Sequence, residues 1–165
     1  MKKVILTIAM VALTFGMNAQ LNYNQWDTVQ TTDEFGDNTG ESVDRFFVKG
    51  KFNNSATYGS ELIVKLVDYG DSMMLSLYEY GSAPAASIDY SSNFGFINVK
   101  RADGTIEKYN TFAPKSGGIY FSKEEYTAFS ALINNGKNET IKVIINGDDL
   151  GGRSSTKYIF TLLTR

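Results

Sequence analysis

Residues 62–68 alternate without a break. Leu62, Val64 and Leu66 point one way along an extended chain, and Ile63, Lys65 and Val67 the other. Four turn-forming residues follow, Tyr69-Gly70-Asp71-Ser72, and residues 73–80 then place Met73, Leu75 and Leu77 on one side again. Period two is the side-chain period of a strand, and two such runs joined by a short Gly/Asp connection form a hairpin. This pattern commits the chain to a sheet with one buried face.

The signal recurs. Residues 94–101 and 105–109 flank Ala102-Asp103-Gly104, where Asp-Gly marks a second hairpin. Residues 141–146 and 158–164 alternate cleanly on either side of a long loop at 147–156. Residues 43–52 carry Phe46, Phe47, Val48 and Phe52, and 22–30 alternate weakly around Trp26 and Val29. Between these runs lie polar or small-residue connections at 31–41, 53–60 and 81–92, the last containing Pro84.

One helix is predicted. Ser122 is followed three residues later by Glu125, a capping-box pattern. Tyr126, Phe129, Leu132 and Ile133 then share one helical face, and Asn134-Asn135-Gly136 suits a left-handed ending. The expected architecture is all-β: an antiparallel β-sandwich of about eight strands, with one short helix near residues 123–134 covering an end. A closed β-barrel is the alternative, because either arrangement buries one face of each strand.

The first residues assign an address. Met1-Lys2-Lys3, an apolar run over 4–17 and Asn18-Ala19-Gln20 make a signal peptide, read as residues 1–19, with a cut after Gly16 as the fallback because Met17 is large. The apolar run is shorter than the roughly 20 residues a bilayer span needs, so no transmembrane segment is expected after cleavage. This leader resembles export signals of Gram-negative bacteria, which implies a periplasmic or secreted protein. Removing 19 of 165 residues leaves 146, read as a single domain over 20–165. A chain of that size buries about 68–70% of its unfolded surface, enough for a self-sufficient core.

Charge and residue types narrow the chemistry. Sixteen basic residues less Lys2 and Lys3 leave fourteen against eighteen acids, a net charge of −4, which argues against nucleic acid as partner. There is no Cys, so neither disulfides nor a lipid-anchored N-terminus is available. There is no His either, which removes Ser-His-Asp and Cys-His catalysis and His-containing zinc sites. No Gly-rich nucleotide loop is present. No catalytic residue is assigned and no enzyme is expected. A carboxylate-dependent glycan hydrolase is the alternative, drawing on Glu61, Glu79, Asp89 or Glu107. Glu79, between Tyr78 and Tyr80, is expected to face outward.

Aromatic residues carry the leading functional expectation. Tyr58, Tyr69, Tyr78, Tyr80 and Tyr90, with Tyr109 beside them, fall in or near connections and strand ends. Flat rings with a polar tip bury area against a sugar or a protein at low entropy cost. Trp26 is read as an anchor for the first strand. The expectation is a non-catalytic binding or structural module of the bacterial cell envelope, recognising a protein or glycan through loops and aromatic surface. A calcium-stabilised adhesive domain is a further alternative: Asp33, Glu34, Asp37, Asn38 and Glu41 offer closely spaced oxygen ligands around Gly36 and Gly40. The loop at 146–152 has a similar character. No cofactor is otherwise implied. Asp27-Thr28-Val29 and Asp71-Ser72-Met73 resemble the acidic–hydroxyl–apolar acceptors of periplasmic O-glycosylation.

Overall fold

The structure is a computed structural model that describes residues 22–91, 94–152 and 154–165. The expected leader lies outside the described residues. The strands are β1 (Trp26–Thr32), β2 (Asn38–Asn53), β3 (Ser60–Asp68), β4 (Met73–Glu79), β5 (Ala83–Pro84), β6 (Gly95–Lys100), β7 (Ile106–Phe112), β8 (Ile119–Phe121), β9 (Thr140–Asn146) and β10 (Lys157–Leu163). Helix α1 covers Lys123–Asn135, and a short 3-10 turn covers Asp148–Leu150.

The three expected hairpins form as β3–β4, β6–β7 and β9–β10, all antiparallel. They do not stack as two sheets. The order β2-β10-β9-β6-β7-β8-β4-β3 returns to β2, so eight strands close into a barrel. The all-β class and the barrel alternative therefore describe the fold, in place of the sandwich. Closure is made by the length of β2. Its first half pairs with β1 (Trp26 opposite Phe46), while its last residues pair with β10 (Phe52 opposite Tyr158). Its other edge holds β3 over Asp44–Phe52. At Gly50 the neighbouring strands crowd in: a Cβ there would sit 2.5 Å from the Ile159 carbonyl oxygen and 2.8 Å from the Phe160 Cβ. Glycine lets the sheet coil tightly at such a point.

Each strand sends alternate residues inward. Phe46, Val48 and Phe52 of β2, Leu62, Val64 and Leu66 of β3, and Ile141, Val143 and Ile145 of β9 are buried. So are Tyr158, Phe160 and Leu162 of β10. One end of the barrel is covered by α1, whose Phe129 stacks on Phe121 at 4.5 Å and meets Tyr109 edge-on at 5.2 Å. Ala85, Ile88 and Leu150 are buried at the other end. Trp26 packs on Phe46 at 5.1 Å with the Arg165 guanidinium over its other side at 4.0 Å, anchoring β1.

Two local expectations are corrected. Ser122 stands at the N-cap of α1, but its hydroxyl makes no capping bond and lies 3.5 Å from the Glu124 carboxylate. Glu125 accepts a hydrogen bond from Asn110 instead of closing the box. At the other end Gly136 is right-handed, and the left-handed residues are Lys137 and Asn138. Gly136 is small because Thr164 packs directly on it. β5 and β8 fall where no strand was expected, and the 31–41 loop tightens, with Thr32 pairing with Asn38.

Candidate functional site

Because alternate side chains fill the interior, the outward positions of the wall carry the available chemistry. On β4 these are Met74, Ser76 and Tyr78. Register sets Met74 opposite Tyr120 of β8 and Tyr78 opposite Pro84 of β5. Tyr90 comes from the connection after β5 and packs partly against the core. Together with Lys115 these side chains line a cleft of about 400 Å³. Its floor is shaped by Gly118, at φ 81°, where a Cβ would meet the Met74 side chain at 2.7 Å. Tyr120 is held from behind by stacking on Phe112 at 5.6 Å.

Burial pushes the Tyr90 hydroxyl above the ordinary tyrosine value, with Tyr78 and Glu79 adding to the effect. Burial raises the Tyr69 hydroxyl likewise, with Tyr120 adding to the effect. Protonated phenols donate and accept hydrogen bonds beside an apolar face, the combination that recognises sugar hydroxyls and C–H groups. Among the described residues no carboxylate lines the cleft.

Of the five tyrosines singled out from the sequence, Tyr78 and Tyr90 share the cleft, and Tyr69, in the β3–β4 turn, does not line it. Tyr80 sits apart, in a left-handed conformation at φ 52° and edge-on to Phe52 at 5.0 Å. Tyr58 is 93% exposed and lines a separate groove with Lys49, Lys51, Lys142 and Ile159. Tyr109 faces into the barrel and its hydroxyl donates to Glu107. Sequence reasoning missed Met74, Pro84, Lys115 and Tyr120. Met74 shares the phase of Tyr78, a signal that was present.

The expected outward placement of Glu79 is wrong. It is 7% exposed and continues the inward phase of Met73, Leu75 and Leu77. Its Oε1 accepts a hydrogen bond from the Tyr158 hydroxyl at 2.7 Å and from the Ala86 N–H at 3.2 Å. Asp33, Glu34, Asp37, Asn38 and Glu41, the candidate oxygen ligands, occupy the exposed β1–β2 turn and the start of β2. Asp33 Oδ1 accepts the backbone N–H groups of Phe35 and Asp37, and Asn38 Oδ1 that of Gly40. These oxygens shape the turn. Among the described residues no three His, Cys, Asp or Glu side chains gather as a metal-holding group. Thr28 donates to Asp44 at 2.7 Å and Ser72 to Asp71 at 3.0 Å. Among the described residues no helix is long and apolar enough to cross a membrane. Comparison with protein-family models, with curated proteins and with solved structures found no match.

Proposed function

We propose that this chain is an exported, non-catalytic module of a bacterial envelope that binds a neutral carbohydrate in the tyrosine cleft. The observation that carries the reading is the convergence of Tyr78, Tyr90 and Tyr120, from three separate segments, on one concave site with Met74 and Pro84 between them. A cleft of about 400 Å³ is near the lower end of small-ligand sites and suits one or two sugar rings. A protein partner would instead need roughly 800 Å² of surface on this side. Binding fits the site better than hydrolysis, which requires two carboxyl groups about 5–10 Å apart flanking the bond to be cut. Export rests on the leader at residues 1–19.

The test is titration calorimetry of the purified protein against a panel of neutral oligosaccharides, repeated with Tyr90→Ala and Tyr120→Ala. One sugar class should bind, and each variant should weaken it about tenfold or more, as for loss of a stacking ring. Retention of full affinity by both variants, or no heat with any sugar, would refute the assignment. Fractionation of the native host with N-terminal sequencing tests the address. A retained Met1 in the cytoplasm would overturn it.

A further inference from the structure

The geometry points to a second binding surface, on the opposite wall of the barrel, that takes an acidic polysaccharide. Strands β10, β9 and β6 lie side by side, three to four strands around the ring from β4. Their outward residues are Lys157, Ile159, Thr161 and Leu163, then Thr140, Lys142, Ile144 and Asn146, then Phe96, Asn98 and Lys100. Not one is acidic. Lys49 and Lys51 of β2 border this wall on one side and Lys108 of β7 on the other. The chain as a whole has more acids than bases, so the concentration of lysine here is a local arrangement.

Among the described residues the three arginines are neutralised by carboxylates. Arg45 pairs with Asp27, Arg101 with Glu107 and Glu139, and Arg165 with Asp44. On the lysine wall only Lys49 has an ion pair among the described residues, at 3.8 Å to Glu61. Lys100 and Lys142 stand directly opposite each other in the β6–β9 ladder, and among the described residues neither has an ion pair. Like charges at facing positions of adjacent strands are unfavourable. An anion lying across the pair would remove that cost. Lys108 is held over the Phe96 ring at 3.3 Å, which fixes its charge at the border of the wall.

Spacing and topology select the occupant. One row of the ladder runs Lys51, Ile159, Ile144, Asn98, Lys108. With strands about 4.8 Å apart, the two lysines are four strands apart, roughly 19 Å measured along the curved wall. That matches charges repeated along an extended polymer and not a single bound phosphate, which needs converging donors. A strand-forming acidic peptide is disfavoured because β10, β9 and β6 each have a paired strand on both sides, so none of them is a full free edge. Ile144, Ile159 and Phe96 lie half-buried between the lysines, while the exposed Leu163 and Ile106 stand at the ends of their strands, and the vesicle arm below distinguishes a membrane surface from a glycan. The groove of about 550 Å³ between β2, β10 and Tyr58 gives the polymer an apolar bed at one end of the row. A carboxylated glycan, with acidic groups at regular intervals and hydrogen-bonding rings between them, fits these features.

The probe is polygalacturonate, with neutral dextran, polyglutamate and phosphatidylglycerol vesicles as competing arms, read by affinity electrophoresis and calorimetry. Polygalacturonate should bind and dextran should not, and added salt should release it. Lys100→Gln/Lys142→Gln should weaken it about tenfold, as expected for two exposed charge contacts. Lys123→Gln/Lys137→Gln, which makes the same change in net charge on and just after α1, should leave it intact. These are exposed positions, so an unchanged circular-dichroism spectrum is expected for both variants. Tyr90→Ala should leave polygalacturonate binding unchanged, which separates this surface from the neutral-sugar cleft. Equal loss in the α1 control, equal affinity for polyglutamate, or binding to vesicles without polygalacturonate would overturn the proposal.

Discussion

Replacing Tyr158 with Phe tests the polar contact buried at one end of the barrel. The Tyr158 side chain is fully buried and Glu79 is 7% exposed. The phenol donates to Glu79 Oε1 at 2.7 Å, and the same oxygen accepts the Ala86 N–H, which ties the segment after β5 to the barrel. Phe preserves the ring and its contact with Phe52 at 6.2 Å while deleting the donor. A hydrogen bond to a charged group contributes about 1.5–3 kcal/mol net. In a domain of this length each kcal/mol moves Tm by about 2–4 °C, so a loss near 2 kcal/mol lowers Tm by roughly 4–8 °C. Urea unfolding followed by circular dichroism measures it directly. In a Glu79→Gln background the same Tyr158→Phe step removes only a neutral hydrogen bond and should cost about 0.5–1.5 kcal/mol. A Tyr158→Phe variant within about 0.5 kcal/mol of the parent, the range of an ordinary surface change, would refute the reasoning. So would an unchanged cost in the Gln background.

Two predictions concern pH. Burial pushes the phenols of Tyr158 and Tyr109 well above the ordinary value of 10.0, with hydrogen bonds to Glu79 and Glu107 adding to it. A group whose folded pKa is raised stabilises the fold fully below its unfolded pKa and loses that stability as pH rises toward the folded one. Stability should therefore fall from about pH 10 upward, and Tyr158→Phe should make that fall shallower; a parallel fall in both proteins would contradict it. On the acid side, hydrogen bonds from Arg101 and the Ala102 N–H hold Glu139 down to about 2 from an ordinary 4.5. A depressed carboxylate stabilises above its unfolded pKa and loses that contribution as pH falls through the folded one. Glu139→Gln should flatten the acid limb between about pH 4.5 and 2; an acid limb identical to the parent's would refute the role of this pair.

The hairpins were legible because their alternation is strong and their connections carry Gly and Asp. Closure was not, since period two buries one face whether two sheets stack or one sheet curls. The deciding feature, the division of one edge of β2 between β1 and β10, is a long-range pairing with no local signature. Short strands were also hidden: three residues of β8 and two of β5 hold too little pattern to register. Glu79 is a different case. The sequence already placed Met73, Leu75 and Leu77 in one phase, and following that phase one step further would have turned Glu79 inward. Residue polarity was allowed to override periodicity, and the Tyr158 hydroxyl that makes an inward carboxylate tolerable lies 79 positions away in the chain. The capping box failed for a similar reason, because Asn110 on a distant strand engages Glu125.

The same physics explains why Met74, Tyr78 and Tyr120 offer their side chains from strands of the wall, with Tyr90 and Lys115 joining them from connections. An eight-stranded barrel has an interior just wide enough either to be filled by side chains or to hold one small ligand. Here Phe46, Phe52, Tyr158 and Phe160 fill it, with α1 over one end and Leu150 buried at the other. The proposed recognition then falls to outward positions, each set between two inward neighbours that are locked in the core. Tyr78 stands between buried Leu77 and buried Glu79, and Lys142 between buried Ile141 and Val143. A side chain mounted this way keeps its backbone position without cost at the moment of binding, whereas a loop residue must first be ordered. Tyr58, on the connection between β2 and β3 and almost wholly exposed, lacks that support. Its replacement by Ala should therefore cost either ligand less than loss of a ring fixed in the wall.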